Sequence, residues 1–184
     1  MNRRQLLART AATSTAMLLA ASLGGCASQQ IDHYRNEKPV LDLARYFNGT
    51  LDADGIFQDR SGKVVKRFHV LIDARWQGNT GTLDERFTYS DGSTQRRVWT
   101  LTRLDAHRYT GKADDVVGEA SGEARGNALR WKYVMALPVE GKVYNVDFDD
   151  WMFLMDDRVM LNRSVMSKFG FHLGEVTLSF RKRE

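Results

Sequence analysis

Apolar and polar residues alternate along most of the chain beyond residue 50. The alternation is clear in Phe68, Val70, Ile72, Ala74 and Trp76, in Leu129, Trp131, Tyr133, Met135 and Leu137, and in Val176, Leu178 and Phe180. A period of two puts every second side chain on one face, which predicts half-buried strands. Turn pairs separate the runs: Ser61-Gly62, Gly78-Asn79, Asp91-Gly92, Gly126-Asn127, Glu140-Gly141, Asp156-Asp157 and Phe169-Gly170, with weaker turns near Ala106-His107 and Asp114-Asp115. Ahead of the strands, Pro39 to Phe47 reads as a short helix with Pro39 in its first turn.

Each pair, taken as a two-residue loop, fixes a register that the hydrophobic pattern can test. Ser61-Gly62 sets Ile72 opposite Leu51, Val70 opposite Ala53 and Phe68 opposite Gly55. Gly78-Asn79 continues that face through Glu85, Phe87 and Tyr89. Asp91-Gly92 then places Phe87 opposite Arg96 and Glu85 opposite Val98, and the weaker turns carry the face through Thr100, Leu104, Tyr109, Gly111 and Gly118. Gly126-Asn127 sets Trp131 opposite Gly122, Tyr133 opposite Ala120 and Met135 opposite Gly118, so that large side chains meet small ones. Glu140-Gly141 aligns Met135 with Val146 and Tyr133 with Phe148. Asp156-Asp157 aligns Met152 with Leu161 and Asp150 with Arg163. Phe169-Gly170 aligns Leu161 with Leu178 and Val159 with Phe180.

The expected fold is therefore all-β, an antiparallel up-and-down meander of about ten strands with one shared interior. Such a sheet removes its edges by closing into a barrel, the first strand near Leu51 meeting the last near Leu178. A two-sheet sandwich of the same strands is the alternative.

The N-terminus has a different character. Arg3, Arg4 and Arg9 precede an apolar stretch from Ala11 to Leu23, the layout of a signal peptide and too short for a spanning helix. It ends in Leu23-Gly24-Gly25-Cys26, which resembles the bacterial lipobox. The resemblance implies cleavage before Cys26 and three acyl chains on that residue, an effectively permanent anchor. Ala27 follows, in place of the Asp that resembles an inner-membrane retention signal. This favours the outer membrane facing the periplasm. Asn2-Arg3-Arg4-Gln5-Leu6-Leu7 resembles a twin-arginine export signal; a plain basic leader for the general export route is the other reading. The domain plan is a signal peptide over 1–25, a lipidated tether over 26–38 and one barrel domain over 39–184.

Removing residues 1–25, with three arginines and no acids, leaves 159 residues with 24 basic and 23 acidic side chains. The formal charge falls from +4 to +1, which argues against a nucleic-acid partner. Cys26 is the only cysteine, so no disulfide staples the fold.

Several blocks together resemble an uncharacterised domain-of-unknown-function family of proteobacterial lipoproteins related in shape to lipocalins and other calycins. They are Tyr46-Phe47-Asn48-Gly49, Gly55 to Arg60, Gly126 to Trp131, Asp149-Asp150-Trp151-Met152 and Asn162 to Gly170. The resemblance implies a lipocalin-like barrel and an anchor, and supplies no catalytic residue.

The registers point unusual residues inward. Asp150 faces Arg163 on one side and Trp131 on the other, and Glu85 lies diagonal to Arg96. Tyr89, Tyr109, Tyr133 and Tyr144 add hydroxyls. One reading is a cavity for a hydrophobic or amphiphilic, lipid-like molecule, lined by Trp131, Asp150, Arg163, Glu85, Arg96, Tyr133 and Tyr144, with Arg163 or Arg96 taking an acidic head group. The other is a filled barrel with its charges mutually paired, presenting a surface around Trp151 and Lys168-Phe169-Gly170-Phe171 to an envelope protein partner. An enzyme is the least favoured reading. Asp149 and Asp150 are adjacent and face opposite sides, and the four histidines lack metal-ligand spacing. No cofactor is expected.

Overall fold

Ten strands follow one another in the computed structural model, which describes residues 29–184, and each pairs antiparallel with its neighbours in the chain. They are β1 (Gly49–Asp59), β2 (Val64–Gln77), β3 (Thr80–Tyr89), β4 (Thr94–Arg103), β5 (Arg108–Lys112), β6 (Ala120–Arg125), β7 (Ala128–Val139), β8 (Lys142–Leu154), β9 (Val159–Lys168) and β10 (Phe171–Lys182). β1 pairs with β10, setting Ala53 opposite Phe180 and Gly55 opposite Leu178, and the sheet closes into a barrel. Closure leaves neither β1 nor β10 as a free edge. The barrel, and not the two-sheet sandwich, is the arrangement adopted. The expected signal peptide, and Cys26 with it, lie outside the described residues.

One end of the barrel is plugged. The helix expected over Pro39 to Phe47 is a single turn, α1 (Leu43–Tyr46), whose N-cap Asp42 accepts from the Arg45 backbone N–H at 3.0 Å. Leu43, Tyr46 and Phe47 are buried beneath the barrel. The Tyr46 hydroxyl donates to the carbonyls of Arg158 at 3.1 Å and Phe180 at 3.3 Å, tying α1 to the β8–β9 loop and to β10. Ahead of it, Ile31–Tyr34 forms a 3-10 turn, and Tyr34 lies edge-on to Phe153, 5.1 Å between centroids, and against Trp151. Within the stretch expected to be a lipidated tether, the turn at Ile31–Tyr34 lies against the barrel through the Tyr34 ring. Trp151, expected at a partner surface, is buried on the outside of the barrel under this segment and over Arg130.

The expected registers hold for β1–β2, β2–β3, β6–β7 and β7–β8. Two others slip by one residue because the loops hold three residues. Tyr89 N–H donates to Ser93 C=O at 2.9 Å, leaving Ser90-Asp91-Gly92 as the loop, with Gly92 at φ +82°. Glu85 therefore faces Arg97, not Val98, and Phe87 faces Gln95, not Arg96. Trp99 and Leu101 point inward, while Thr100 and Leu104 are exposed. In the same way Met155 N–H donates to Val159 C=O at 2.9 Å around Asp156-Asp157-Arg158, whose turn is held by the Asp156 carboxylate accepting from the Arg158 and Val159 N–H groups. Asp150 then faces Ser164, and Met152 faces Asn162. Between β5 and β6, Val116 and not Gly118 lies opposite Met135.

The fullest part of the interior is built around Trp131. Its indole lies where Gly111 and Gly122 leave no side chain; a Cβ at Gly111 would stand 2.6 Å from Trp131 Cζ2, and one at Gly122 would be closer still. Trp99 meets the same indole edge-on at 5.9 Å. Overfilling a packed site costs about 1–3 kcal/mol, so Gly122→Val is expected to lower the urea unfolding free energy by about that amount.

Candidate functional site

Tilted strands of a barrel turn their alternate side chains inward, and the plug fills only one end. Toward the other end, rimmed by the β1–β2, β3–β4, β5–β6, β7–β8 and β9–β10 connections, the interior holds a cavity of ≈ 1020 Å³. That is the upper end of the size usual for small-molecule sites. Leu43, Phe47, Ile72, Leu129 and Met152 form the floor, and Phe57, Phe68, Phe87, Phe148, Met166 and Val176 line the upper wall.

Between floor and rim lies a belt of polar groups. Arg97 on β4 grips Asp115 through Nε at 2.9 Å and Nη2 at 2.8 Å, approaches Glu85 on β3 at 3.6 Å, and lies 5.2 Å over the Phe87 ring. Across the barrel, Asp150 on β8 accepts from Ser164 Oγ in a short hydrogen bond, from Asn162 Nδ2 at 3.4 Å and from the Tyr133 hydroxyl at 3.5 Å. Arg97 Nη2 also lies 3.4 Å from Met135 Sδ, two residues along β7 from Tyr133, which brings the two groups to neighbouring levels of the barrel. Trp99, Trp131, Tyr133 and Phe148 enclose these levels: Trp99 meets Tyr133 edge-on at 5.5 Å, and Tyr133 stacks on Phe148 at 4.9 Å.

Burial sets the protonation of the belt. Loss of solvent pushes the Asp150 carboxyl up to about 7, against the pull of its hydrogen bonds from Ser164, Asn162 and Tyr133. It pushes Glu85 up to about 7 as well, with Arg97 opposing and the negative charges of Asp115 and Asp150 adding to the rise. The Tyr133 phenol is raised well above its ordinary value, first by burial and then by Asp150. Burial works against the Arg97 charge, but the Asp115 hydrogen bond and the two neighbouring carboxylates hold it above the usual arginine range.

Of the residues expected inside, Trp131, Asp150, Glu85 and Tyr133 line the cavity. Arg163 and Arg96 do not. The one-residue slips turn both outward, Arg163 onto Glu175 at 2.8 and 2.5 Å and Arg96 onto Asp84 at 2.8 and 2.9 Å. Tyr144 sits at the rim, 40% exposed, near Lys168. The same slips bring in Arg97, Trp99, Asn162 and Ser164, which the two-residue loops had pointed outward. Asp115 enters from the β5–β6 connection, where no strand pattern marks it. Among the described residues no cluster of three metal-ligating side chains occurs.

The raised carboxyls carry a stability signature. A native pKa of about 7 against 3.8 for Asp150 and 4.5 for Glu85 means that the folded state holds more protons between about pH 4 and 7. Their stabilisation is present below pH 4 and lost as pH rises through 7, with a slope of at most about 1.4 kcal/mol per pH unit per group. Urea midpoints are expected to fall from pH 5 to pH 8, and Asp150→Asn is expected to flatten that fall.

Comparison with known proteins supports the barrel. The S-type phycobiliprotein lyase CPES from Guillardia theta matches with a TM-score of 0.59 at 6% identity, over 85% of this chain and 99% of the lyase. A de novo designed fluorescence-activating β-barrel matches at 0.44 with 14% identity, over 78% of this chain and 99% of the design. The barrel EF1p2_mFAP2b bound to DFHBI matches at 0.43 with 10% identity, over 77% of this chain and all of that one. At these identities the likeness is one of fold, and the first match carries it. No curated protein matches the sequence. The family model described as "Protein of unknown function (DUF3833)" matches residues 20–182, so this chain, with its plugged barrel and polar-belted cavity, belongs to that family.

Proposed function

We propose that this protein is an envelope lipoprotein, anchored through acylated Cys26 and facing the periplasm from the outer membrane, whose barrel binds or carries a hydrophobic or amphiphilic small molecule. The observation that carries the proposal is the cavity itself: ≈ 1020 Å³, walled by aromatic and aliphatic side chains and crossed by one polar belt. Such a space suits a molecule with an apolar body and one polar end. Each buried methylene contributes about 0.8 kcal/mol, so a twelve-carbon chain gains roughly 10 kcal/mol before the costs of association. The phycobiliprotein lyase of similar fold is an enzyme by its name, so the fold alone does not separate binding from catalysis. With acylation at Cys26, the four residues 27–30 precede the packed turn at Ile31, a reach of at most about 14 Å. The protein then works close to a bilayer surface.

A second reading draws on the β9–β10 hairpin. Phe169 and Phe171 are 86% and 74% exposed, and Phe169 holds φ +52°, a backbone region that bulky residues rarely occupy. An exposed aromatic pair at the rim suits an envelope protein partner.

Native mass spectrometry of the protein purified from its own host tests the first reading. A co-purifying small molecule, lost when Val176→Trp fills the cavity, is expected. An interior that is empty in every preparation would contradict it, and loss of a protein crosslink on Phe169→Ser would then favour the second. Labelling with radioactive palmitate, abolished by Cys26→Ser, tests the anchor separately.

A further inference from the structure

We infer that the cavity selects amphiphiles whose polar end is an ammonium group and discriminates against carboxylates. The inference rests on the cavity being the ligand site and concerns which head group that site takes.

The charges at the belt are three carboxyls, Glu85, Asp115 and Asp150, and one guanidinium. That guanidinium is already committed, with two nitrogens on Asp115 and the third facing Glu85. At the rim, Lys66 pairs with Asp91 at 2.9 Å and lies 4.2 Å over the Tyr89 ring, while Asp114 adds a further acid. Arg96 and Arg163, the cations that would receive an acid, stand outside the barrel on their own carboxylates. An incoming anion therefore meets lone pairs and negative charge. The hydroxyl donors at this level are spent as well, since Ser164 Oγ and the Tyr133 hydroxyl both point at Asp150.

What remains unmet is an acceptor. Asn162 lines the cavity and is only 5% exposed. Its Nδ2 is drawn to Asp150, which orients the amide, and its buried Oδ1 has no partner. A buried acceptor left unsatisfied costs about 1–3 kcal/mol. An N–H donor entering at this level, with a small turn of the amide, removes that cost. The walls agree with a cation: Trp99, Trp131, Tyr133 and Phe148 surround the belt, and aromatic faces attract ammonium groups, quaternary ones included. Surplus carboxyls and aromatic enclosure favour any ammonium group, and the orphan acceptor adds to them for one that carries an N–H.

The test compares probes of one chain length, dodecylamine, dodecyltrimethylammonium, dodecanol and dodecanoate, each below its micelle concentration. Binding to the full chain carrying Cys26→Ser, which leaves it without acyl chains, is measured at pH 8 by calorimetry. Both ammonium probes are expected to bind at least tenfold more tightly than dodecanoate, with dodecanol between. Glu85→Gln with Asp150→Asn is expected to bring the ratio close to one while dodecanol binding persists; Glu85→Gln alone serves if the double variant folds poorly. Dodecanoate binding as tightly as the amine would overturn the selectivity and leave the cavity reading standing. Failure of all four probes, dodecanol included, would overturn both.

Discussion

A barrel of ten strands encloses more space than its inward side chains can fill, and the architecture of this protein follows from that constraint. About eight strands give a tube that side chains just occupy; ten leave a remainder. Here the remainder is divided unequally. At one end α1 and Phe47 are driven up into the tube, and Trp131 occupies the room that Gly111 and Gly122 vacate. At the other end no described segment enters, and Met135, Val146, Phe148 and Met166 form a separate apolar cluster. Closure of β1 on β10 makes this division possible, since an open sheet would have no interior to partition.

The polar belt is costly within such a tube, because charges removed from water must be paired or neutralised. Both solutions are present. Arg97 and Asp115 form a close two-nitrogen contact, whereas Asp150, with no cation in contact, moves its pKa toward neutrality and collects hydrogen bonds from three neighbours. Replacing such groups with apolar ones of similar volume would cost little stability. Their placement in one belt of an otherwise apolar cavity is therefore better explained by recognition than by folding. That reasoning joins the architecture to the proposed binding role.

Most of the fold is legible in the alternation and the turn pairs, and the failures trace to loop length. The Ser61-Gly62 hairpin also closes through three residues, Asp59 N–H donating to Lys63 C=O, but the register shifts past Gln58 and restores the two-residue alignment from Phe57 inward. The Asp91-Gly92 hairpin has the same loop without that correction, so Arg96 and Arg97 exchange faces. The slip at Asp156-Asp157 is cancelled in β10 by a shift between His172 and Gly174, and Leu178 and Phe180 return to the expected inner face with new partners. Between the two lies β9, and there Arg163 is exchanged for Ser164 and Asn162. Because neighbouring side chains point oppositely, one residue of error in a loop moves a charge from cavity to solvent. Architecture survives such errors, while a binding site does not.

Methionine methyl groups offer the most direct test of the central claim that the cavity is the ligand site. Met135, Met152 and Met166 line it, Met160 is fully buried outside the lining, and Met155 is exposed at the plugged end. With methyl-labelled methionine and a dodecyl ligand, the account predicts shifts at Met135, Met152 and Met166 and none at Met155. An unchanged cavity set, or a response confined to Met155, would contradict it.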